Sequence, residues 1–438
     1  MTHFRQHHDV GVSRYGLPDI FLPYSTLQKI MLLPLNFDIE GRDPNVRRIL
    51  QASSVFSSLY DLEESIQPLL STIESSGLII SERWFSDILP SKQDELNRTI
   101  EEISKYVLVE GNKVDTSRVI DFLIRNDLPA VNDNDKLQMY RNLHPLYELL
   151  LKNDRQQQFL KQWGNKLLAE GSRTESGVVI KGNWQSFSSY SGRMFCKQLP
   201  LTSLPKDLRD FILSPDERVI LSLDFNNAEL RILAYYSHCK RLLEQFEIGE
   251  DIHFQTGTMI AQAIGLQDAD VAVIRRTGKQ FAFALLYGAG ISTIVSNLRK
   301  LVPTVTSATV SQLVTAFFKT YPEVHLFLDN LEKDSHLLTP FGRIKPLATF
   351  KPTQKRNYPF QSSIAVAVKQ LMLIANKRFD VVHVIHDEIW ILAPTREPTV
   401  VEEVIEEFYH QLLNILPDFP ISGFIKVEPI GGNTHEHG

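Results

Sequence analysis

Residues Arg275 to Gly288 read RRTGKQFAFALLYG, and the rest of the chain is organised around this stretch. Its cations and aromatic rings recur at every fourth position, at Arg275, Lys279, Phe283 and Tyr287. On a helix that rises ~1.5 Å per residue, these side chains share one slowly turning stripe. Gly288 supplies the helix stop. The pattern predicts a helix with a cationic leading half and an aromatic trailing half.

This stripe suits a ligand with a polyanionic end and a flat aromatic end. Guanidinium and ammonium groups pair with phosphates, whereas aromatic rings stack on a base. A nucleoside triphosphate has both ends. The alternative is an ordinary amphipathic helix in which Phe283 and Tyr287 lie in the core and the cations are solvated. The stretch alone leaves both interpretations open.

The composition is typical of an intracellular globular protein. A chain of 438 residues is longer than one hydrophobic core usually serves, so two or three subdomains are expected. No apolar run approaches the ~20 residues of a membrane span, and the first residues lack a signal-peptide core. Cys196 and Cys239 are too few for a disulfide framework or a zinc site. We therefore expect no membrane partner, and a location in a bacterial or phage-host cytoplasm or in a eukaryotic organelle or nucleus.

The charge is distributed unevenly along the chain. A net charge of −6 argues mildly against a nucleic-acid-binding protein. However, three windows contain no Asp or Glu, and they hold 4, 6 and 8 Lys plus Arg residues: Ser176–Lys206, Val271–Pro322 and Ser335–Phe379. Chance clustering explains one such window better than three. The segregation predicts a few surfaces that face phosphates within an otherwise acidic protein.

Two acidic residues follow apolar strand patterns. Arg218–Phe225 is an apolar β-branched run that contains Asp224 near its end, and a helix is predicted to begin at Ala228. Two further strands flank a turn with Asp387. Aspartate is common in turns and helix caps, so each acid alone is ambiguous. If the strands are neighbours, the two carboxylates repel each other and would share divalent cations. Two Mg²⁺ ions ~3.5–4 Å apart activate a hydroxyl and stabilise a leaving pyrophosphate.

Several stretches are predicted to be helical. Two highly charged ones, Lys92–Tyr106 and Pro145–Gly164, are separated by the shorter Thr116–Arg125, and they indicate an arm with little aromatic content. Ser311–Phe327 and Gln361–Phe379 have the periodicity of amphipathic helices.

These residues resemble the characteristic motifs of family A (polymerase I-like) DNA polymerases. The segments similar to motifs A, B and C are Asp224–Arg231 (DFNNAELR), Arg275–Gly288 and His386-Asp387-Glu388. Shorter segments follow the same pattern in the same order: His144–Leu150, Ser191-Gly192-Arg193, Asp251-Ile252-His253, Asn357–Gln361 and Gly431-Gly432-Asn433. The resemblance spans roughly residues 58 to 438. One motif alone is a weak signal, whereas all of them in order are a strong one.

The resemblance implies an α+β right-hand polymerase fold, with an antiparallel palm sheet covered by helices and with helical fingers and thumb. The expected palm comprises residues 58–82, 166–237 and 341–438. The thumb would be 83–165, the fingers 238–340, and residues 1–57 an extension of unknown role. Fifty-odd residues are too few for a proofreading exonuclease domain, so only the polymerase region is expected, and Asp38-Ile39-Glu40 would be at best a vestige.

The resemblance also implies roles for individual residues. Two Mg²⁺ ions, with Mn²⁺ as a substitute, would be held by Asp224, Asp387 and the backbone carbonyl of Phe225. The catalytic residues would be Asp224, Asp387, Lys279 and, as an auxiliary acid, Glu388. The nucleotide would contact Glu229, His253, Arg275, Lys279, Phe283 and Tyr287, with Glu229 as the steric gate against a ribose 2′-hydroxyl. The primer–template would contact Arg193, Asn357, Gln361 and His386.

The function implied is template-directed addition of deoxynucleotides to a primer 3′ end by two-metal-ion nucleotidyl transfer, without proofreading. Repair, gap filling and phage or mobile-element replication are the expected settings. The expected partners are primer–template DNA, dNTPs and accessory replication or repair proteins, and a monomer is expected. The alternatives are a single-subunit RNA polymerase or primase-like enzyme, which Glu229 disfavours, and a non-catalytic nucleic-acid-binding relic.

The chain departs from the family pattern at a few positions. Phe225 stands where Tyr is usual and Asn227 where Gln is usual. Thr202 and Ser203 replace a usual amide pair. Gly278 interrupts the predicted fingers helix, where glycine costs ~1 kcal/mol relative to alanine, so it is expected to loosen the hinge.

Overall fold

The computed structural model describes residues 53–431, apart from 187–189, 216–217, 266–267, 300–301, 303, 334–335, 340, 342–343, 347–349 and 395–397. Asp38, Glu40 and nearly all of the predicted extension 1–57 therefore lie outside the described residues, as do Gly432 and Asn433. Among the helices that are described, none combines the length and the apolar character needed to cross a membrane.

Helices make up most of the described chain. In chain order they are α1 Ser53–Ser76, α2 Leu89–Ser104, α3 Thr116–Arg125, α4 Asn134–Tyr140, α5 Pro145–Leu160, α6 Lys166–Glu170, α7 Lys206–Arg209, α8 Ala228–Ser237, α9 Lys240–Glu247, α10 Ile252–Ile264, α11 Val271–Leu286, α12 Ile291–Arg299, α13 Ser307–Thr320, α14 Pro322–Lys333, α15 Pro352–Ala375 and α16 Pro398–Ile415. Two π-helical turns, Trp84–Ile88 and Lys161–Asn165, and a 3₁₀ turn, Leu201–Ser203, join them.

The strands are short and pair antiparallel. They are β1 Leu78–Ile80, β2 Val109–Glu110, β3 Lys113–Val114, β4 Ser172–Thr174, β5 Gly177–Ile180, β6 Asn183–Gln185, β7 Phe195–Lys197, β8 Ile212–Leu213, β9 Arg218–Phe225, β10 His336–Leu338, β11 Ile344–Pro346, β12 Asp380–Ile385, β13 Glu388–Pro394 and β14 Ile425–Ile430. One four-stranded sheet has the order β12-β13-β9-β14 and another β4-β5-β1-β8, and the remaining strands form two-stranded ribbons.

The sheet β12-β13-β9-β14 lies at the centre of the molecule. Its strand β13 carries Ile389, Trp390 and Ile391, which are fully buried. Strands buried on both faces read as continuous apolar runs, as this one does. The long helix α15 packs against β12 and β13, and also against α1, α8 and α16. Helices on an antiparallel sheet are the α+β architecture that the sequence predicted, and that prediction is confirmed.

The described apolar residues form one large core, a smaller separate one, and a minor cluster around Leu331 and Tyr358. The large core runs from α1 through the central sheet to α16. The smaller core lies within residues 103–151 and is built around Leu123, Leu146 and Tyr147, whose side chains are fully buried. A separate core in the charged helical region agrees with an arm that packs on itself. The predicted limits of palm, thumb and fingers remain predictions.

Most predicted elements lie where the sequence placed them. The helix Thr116–Arg125 matches residue for residue. The prediction of one helix over Ser311–Phe327 is wrong, because α13 ends at Thr320 and α14 begins at Pro322. Proline has no N–H to donate inside a helix, but it is well tolerated in a first turn.

Candidate active site

Of the two acids predicted to meet, Asp224 lies in β9 and Asp387 lies in the turn that leads into the adjacent strand β13. Glu388, which follows Asp387 directly, is the residue opposite Asp224 in the β9–β13 ladder. The backbone N–H of Phe225 donates to the carbonyl oxygen of Asp387 at 3.1 Å. On the other side of β9, Lys426 is opposite Asp224. The pattern of apolar runs ending in acids thus predicted a real juxtaposition.

Each acid lies close to a residue with left-handed backbone. His386 has φ 50° in the tight turn between β12 and β13, and Asn227 has φ 55° just before α8. Asparagine and histidine tolerate this region better than most residues. Asn227 occupies the N-cap position of α8, and its side chain makes no capping hydrogen bond.

The electrostatics of the acids favour a bound cation. Burial, followed by the nearby charges of Asp387 and Glu388, raises the pKa of Asp224 to about 6. Burial also raises the pKa of Asp387. Half-buried carboxylates that repel each other are an oxygen donor set that a divalent cation would stabilise. No cluster of three or more acidic, histidine or cysteine side chains of metal-binding form occurs within the described part of the chain, so the fit rests on the two aspartates.

Glu388 is engaged by partners that sequence reasoning did not identify. Arg209 donates to both of its carboxylate oxygens, at 2.8 and 2.9 Å. Ser222 Oγ and Trp390 Nε1 donate to Oε1 at 2.6 and 2.7 Å. The predicted role of Glu388 as an auxiliary acid remains a prediction, and its carboxylate is the most heavily hydrogen-bonded of the three acids.

Glu229 links the turn after β9 to the fingers helix. The Tyr287 hydroxyl donates to its carboxylate, and Arg193 donates to the same carboxylate at 3.2 Å. Burial raises the pKa of Glu229, against the lowering effect of these two partners. Gln361 accepts a hydrogen bond from Tyr190 at 3.2 Å and also bonds to Tyr287. Five residues predicted or found in this region therefore form one network.

The stripe on α11 lies on an accessible face. Lys279 is exposed, and Arg275, Phe283 and Tyr287 are half-buried, whereas Phe281 and Leu286 face the core. Lys279 Nζ lies 5.8 Å from the centre of the Phe283 ring. Both stripe aromatics are half-buried, and Tyr287 packs against the edge of the large core, so the assignment of the stripe to a nucleotide remains a prediction. The stop at Gly288 is confirmed, because α11 ends at Leu286 and Gly288 has φ +73°.

Arg275 is paired with an acid in this structure. Its Nε donates to Asp251 at 2.6 Å, and both side chains are about two-fifths exposed, at 41% and 42%. The other oxygen of Asp251 accepts from the N–H of Phe254 and caps α10. One carboxylate thus joins the start of α10 to the first predicted phosphate-binding cation.

His253 is fully buried, unlike the other predicted nucleotide contacts. Neither ring nitrogen has a hydrogen-bond partner among the described residues, and the ring lies 5.6 Å from that of Phe283. Burial, and then the charges of Lys279 and Arg275, lower the pKa of His253 to about 4. A contact between His253 and a triphosphate therefore remains a prediction, and it requires the side chain to be uncovered.

Gly278 brings α10 and α11 into close contact. A Cβ at Gly278 would lie 2.0 Å from the carbonyl oxygen of His253 and 2.4 Å from the N atom of Gly257. A Cβ at Gly257 would in turn meet the carbonyl oxygen of Ile274 at 2.0 Å. The expectation that Gly278 loosens the hinge is wrong, because this glycine allows the closest packing between α10 and α11.

A cavity of about 440 Å³ lies between residues 138–142 and residues 292–307. Arg141 and Arg299 line it together with serine, asparagine and glutamine side chains and with the apolar Met139 and Val295, and none of its described lining residues is Asp or Glu. The cavity continues the acid-free window that the sequence showed from Val271 to Pro322. Its chemistry suits phosphate groups.

The family model for DNA polymerase family A matches residues 123–422 of this chain. The chain belongs to DNA polymerase family A. Among its relatives, it is 22% identical to DNA polymerase I of Caldicellulosiruptor bescii, over 91% of this chain and 52% of the relative. It is 20% identical to DNA polymerase I of Bacillus caldotenax, over 82% and 44%, and 24% identical to that of Helicobacter pylori, over 73% and 37%. The chain thus spans about half the length of these relatives, or less.

The fold of this family A chain is that of a polymerase domain. It superposes on the POL domain of Pol1 from M. smegmatis, in complex with DNA primer-template and dNTP, with a TM-score of 0.71 and 19% identity, covering 88% of this chain and 72% of that one. The predicted right-hand polymerase fold is confirmed by this match.

Sequence reasoning about this family A chain missed two site residues. Arg209 lies in a short helix with no periodic signal, so only the folded sheet shows that it reaches Glu388. Asp251 was recognised as part of a motif, but its ion pair with Arg275 joins residues 24 positions apart. Neither the Arg209–Glu388 contact nor the Asp251–Arg275 contact follows from residue spacing within one helix, so sequence periodicity does not reveal them.

Proposed function

We propose that this chain is a DNA-directed DNA polymerase that adds deoxynucleotides to the 3′ end of a primer. The observation that carries the proposal is the placement of Asp224 next to the Asp387 turn, in a family A chain whose fingers helix presents cations and aromatic rings on an accessible face. Acids of this kind and a triphosphate-binding stripe are the two halves of a nucleotidyl transfer site.

In this proposal Asp224, Asp387 and the backbone carbonyl of Phe225 hold two Mg²⁺ ions, with Mn²⁺ as a substitute. The raised pKa of Asp224 supports the assignment, because a divalent cation would offset both the burial and the repulsion from Asp387 and Glu388 that raise it. When bound, such ions activate the primer hydroxyl and stabilise the leaving pyrophosphate. The chain's own part is to keep both carboxylates in place, which the β9–β13 ladder does.

The side chains around the acids would orient the substrates. Arg275 and Lys279 would bind the triphosphate, after Arg275 exchanges Asp251 for phosphate oxygens. Phe283 would stack on the incoming base, and Tyr287 would flank the sugar. Glu229 would crowd a ribose 2′-hydroxyl, because its carboxylate is held by Arg193 and Tyr287.

Primer–template DNA is the proposed macromolecular partner. Arg193, Asn357, Gln361 and His386 would contact it near the growing end, chiefly in the minor groove, where shared acceptors allow binding independent of sequence. The similar M. smegmatis domain is itself in complex with DNA primer-template and dNTP. The acid-free cavity with Arg141 and Arg299 gives further support for a polyanionic partner.

Extension of a labelled primer on a DNA template tests the proposal. We expect extension with dNTPs and Mg²⁺, strong discrimination against rNTPs, and loss of extension by Asp387→Asn with primer–template binding retained. Asp380→Asn is the matched control, because Asp380 lies at the exposed far end of β12 and pairs with Arg218. It should extend normally. Extension with rNTPs alone would favour an RNA polymerase, and DNA binding without extension would favour a non-catalytic relic.

The same assay tests proofreading. Without dNTPs and with Mg²⁺ present, we propose that the chain leaves a single-stranded or mismatched primer end at full length. Progressive shortening of the primer would contradict this part of the proposal and leave the polymerase assignment intact. Repair, gap filling and mobile-element replication remain proposed settings, as do a monomeric state and accessory partners.

A further inference from the structure

Arg209 and Glu388 form an ion pair at the edge of the acid site. Two guanidinium N–H groups of Arg209 are aimed at separate carboxylate oxygens, at 2.8 and 2.9 Å, in the bidentate arrangement that gives the strongest pairs. Only 8% of the Glu388 side chain and 24% of the Arg209 side chain are exposed. The guanidinium carbon also lies 5.5 Å from the centre of the Trp390 ring.

The carboxylate of Glu388 is saturated by these contacts. Its Oε1 accepts from Arg209, from Ser222 and from Trp390, and its Oε2 accepts from Arg209. Ser222 precedes Asp224 by two residues, so it lies on the same face of β9. An acid held in this way is poorly placed to exchange a proton or to turn toward a cation.

The pair also sets the charge of the site. Asp224, Asp387 and Glu388 lie together at one end of the β9–β13 pair, and after the larger effect of burial the charge of Glu388 raises the pKa of both aspartates. Arg209 pairs directly with Glu388, and its charge also lowers the pKa of Asp224. Among the described residues neither aspartate has a bidentate partner of this kind, so a divalent cation is the group that would balance their charge.

We propose that Arg209 is a positioning residue for nucleotidyl transfer. It acts by neutralising Glu388 and by fixing the start of β13. Glu388 is then a structural anchor, and it is neither a metal ligand nor an acid catalyst. This inference rests on the proposed function, because it assigns Asp224 and Asp387 as the cation-binding acids. It implies that the charges of Arg209 and Glu388 can be removed together with little effect on cation affinity.

The test compares Arg209→Met, Glu388→Gln and the double variant in the full chain. Mn²⁺ binding to the DNA-free protein is measured by electron paramagnetic resonance, and primer extension is measured separately with Mg²⁺. Glu388→Gln leaves an unpaired cation beside the aspartates and should weaken Mn²⁺ binding roughly tenfold. Arg209→Met leaves an extra anion and should shift the affinity in the opposite direction. The double variant should return Mn²⁺ affinity to within about threefold of the unmodified protein, and should extend primers better than either single variant.

The matched control removes another ion pair from the same sheet. Arg218 and Asp380 pair at 3.0 Å at the far end of β9 and β12, and both are exposed. The variants Arg218→Met, Asp380→Asn and their combination carry the same charge changes, and they should leave Mn²⁺ affinity within about twofold. Opposite shifts in affinity from the two single variants distinguish an electrostatic role from a loss of folding, which would lower binding in both.

The inference is overturned if Glu388→Gln and the double variant lose Mn²⁺ binding equally, because that result makes Glu388 a direct ligand. If Arg209→Met is insoluble, the comparison of Glu388→Gln with the double variant still decides whether Glu388 is a direct metal ligand. A protein that shows the predicted Mn²⁺ shifts but never extends a primer would disprove the proposed function and support the charge assignment. If the unmodified protein extends primers but the double variant does not recover Mn²⁺ affinity, the proposed function is supported and the charge assignment is disproved.

Discussion

The N–H of Phe225 donates to the carbonyl oxygen of Asp387, at 3.1 Å, across two strands whose residues are 162 positions apart in the chain. This single backbone contact fixes the relative position of the two acids next to it. The Phe225 side chain faces the opposite side, where its ring stacks on Phe424 with centroids 4.7 Å apart. The aromatic core therefore holds the end of β9, from which Asp224 projects. The geometry of the acid site depends on core packing as much as on its polar residues.

Glu229→Ala should relax the discrimination between dNTPs and rNTPs by roughly tenfold or more, because the crowding carboxylate is removed. Glu229 is held by Arg193 and Tyr287, so Tyr287→Phe should have a smaller effect in the same direction. The ratio of kcat/KM values for a matched dNTP and rNTP measures the change. Unchanged discrimination in Glu229→Ala would refute the gate assignment.

Asp251→Asn separates two functions of one side chain. Asparagine still accepts the capping hydrogen bond from the Phe254 N–H, but it no longer holds Arg275 as an ion pair. Because exposed pairs are worth up to about 1 kcal/mol, we expect the KM for dNTPs to fall roughly two- to fivefold, as Arg275 is released to phosphate oxygens.

The control for this change is Asp251→Ala, which removes the cap as well as the pair. It should give a similar KM and a further loss of about 1 kcal/mol of folding stability. Steady-state kinetics and thermal melting measure the two effects separately. A higher KM in Asp251→Asn would mean that Asp251 holds Arg275 in place for the triphosphate.

The sequence predicted the architecture and the proximity of Asp224 and Asp387. Both predictions rest on hydrophobic periodicity and on the order of the motifs along the chain. Apolar runs beside Asp224 and Asp387 indicated strands, whose adjacency was a hypothesis, and the four-residue spacing from Arg275 to Tyr287 indicated one helix face. Such signals depend on local periodicity, which survives without knowledge of the fold.

The remaining details depend on contacts between distant segments. The burial of His253 results from the packing of α11 over α10, which its motif does not reveal. The pairing of Arg209 with Glu388 joins residues 179 positions apart. Gly278 was interpreted by helix propensity alone, whereas its neighbours in α10 decide its role. Propensity is a weak prior that tertiary packing overrides.

Gly278→Ala should destabilise the protein although alanine favours helices. The added methyl group would overlap the backbone of His253 and Gly257, which has no flexible side chain to move aside. Overpacking of this kind costs about 1–3 kcal/mol. Gly290→Ala is the control, because a Cβ there meets nothing within 4 Å. Urea unfolding should show a lower midpoint for Gly278→Ala alone, and equal midpoints would contradict the close helix contact.

Asp224→Asn should stabilise the metal-free protein above pH 6 while it removes extension. The folded-state pKa of Asp224 is raised from 3.8 to about 6, chiefly by burial and then by Asp387 and Glu388. Between these values the folded protein retains a proton that the unfolded chain has released. The free energy of unfolding therefore falls as pH rises through this window, and the stability present below pH 4 is lost above pH 6.

The asparagine variant has no carboxyl group at position 224, so it should lack this part of the pH dependence. At pH 7.5 without divalent ions we expect it to be more stable by about 1 kcal/mol, after allowance for the solvent-exposed part of the side chain. The difference should shrink toward pH 4, where Asp224 is protonated in the folded protein and about half protonated in the unfolded chain. Added Mg²⁺ should reverse the order, because binding to the folded state stabilises the unmodified protein more. Thermal melts across pH, with and without Mg²⁺, measure all three effects, and a variant that is less stable at pH 7.5 in the absence of metal would show that Asp224 stabilises the fold by contacts other than cation binding.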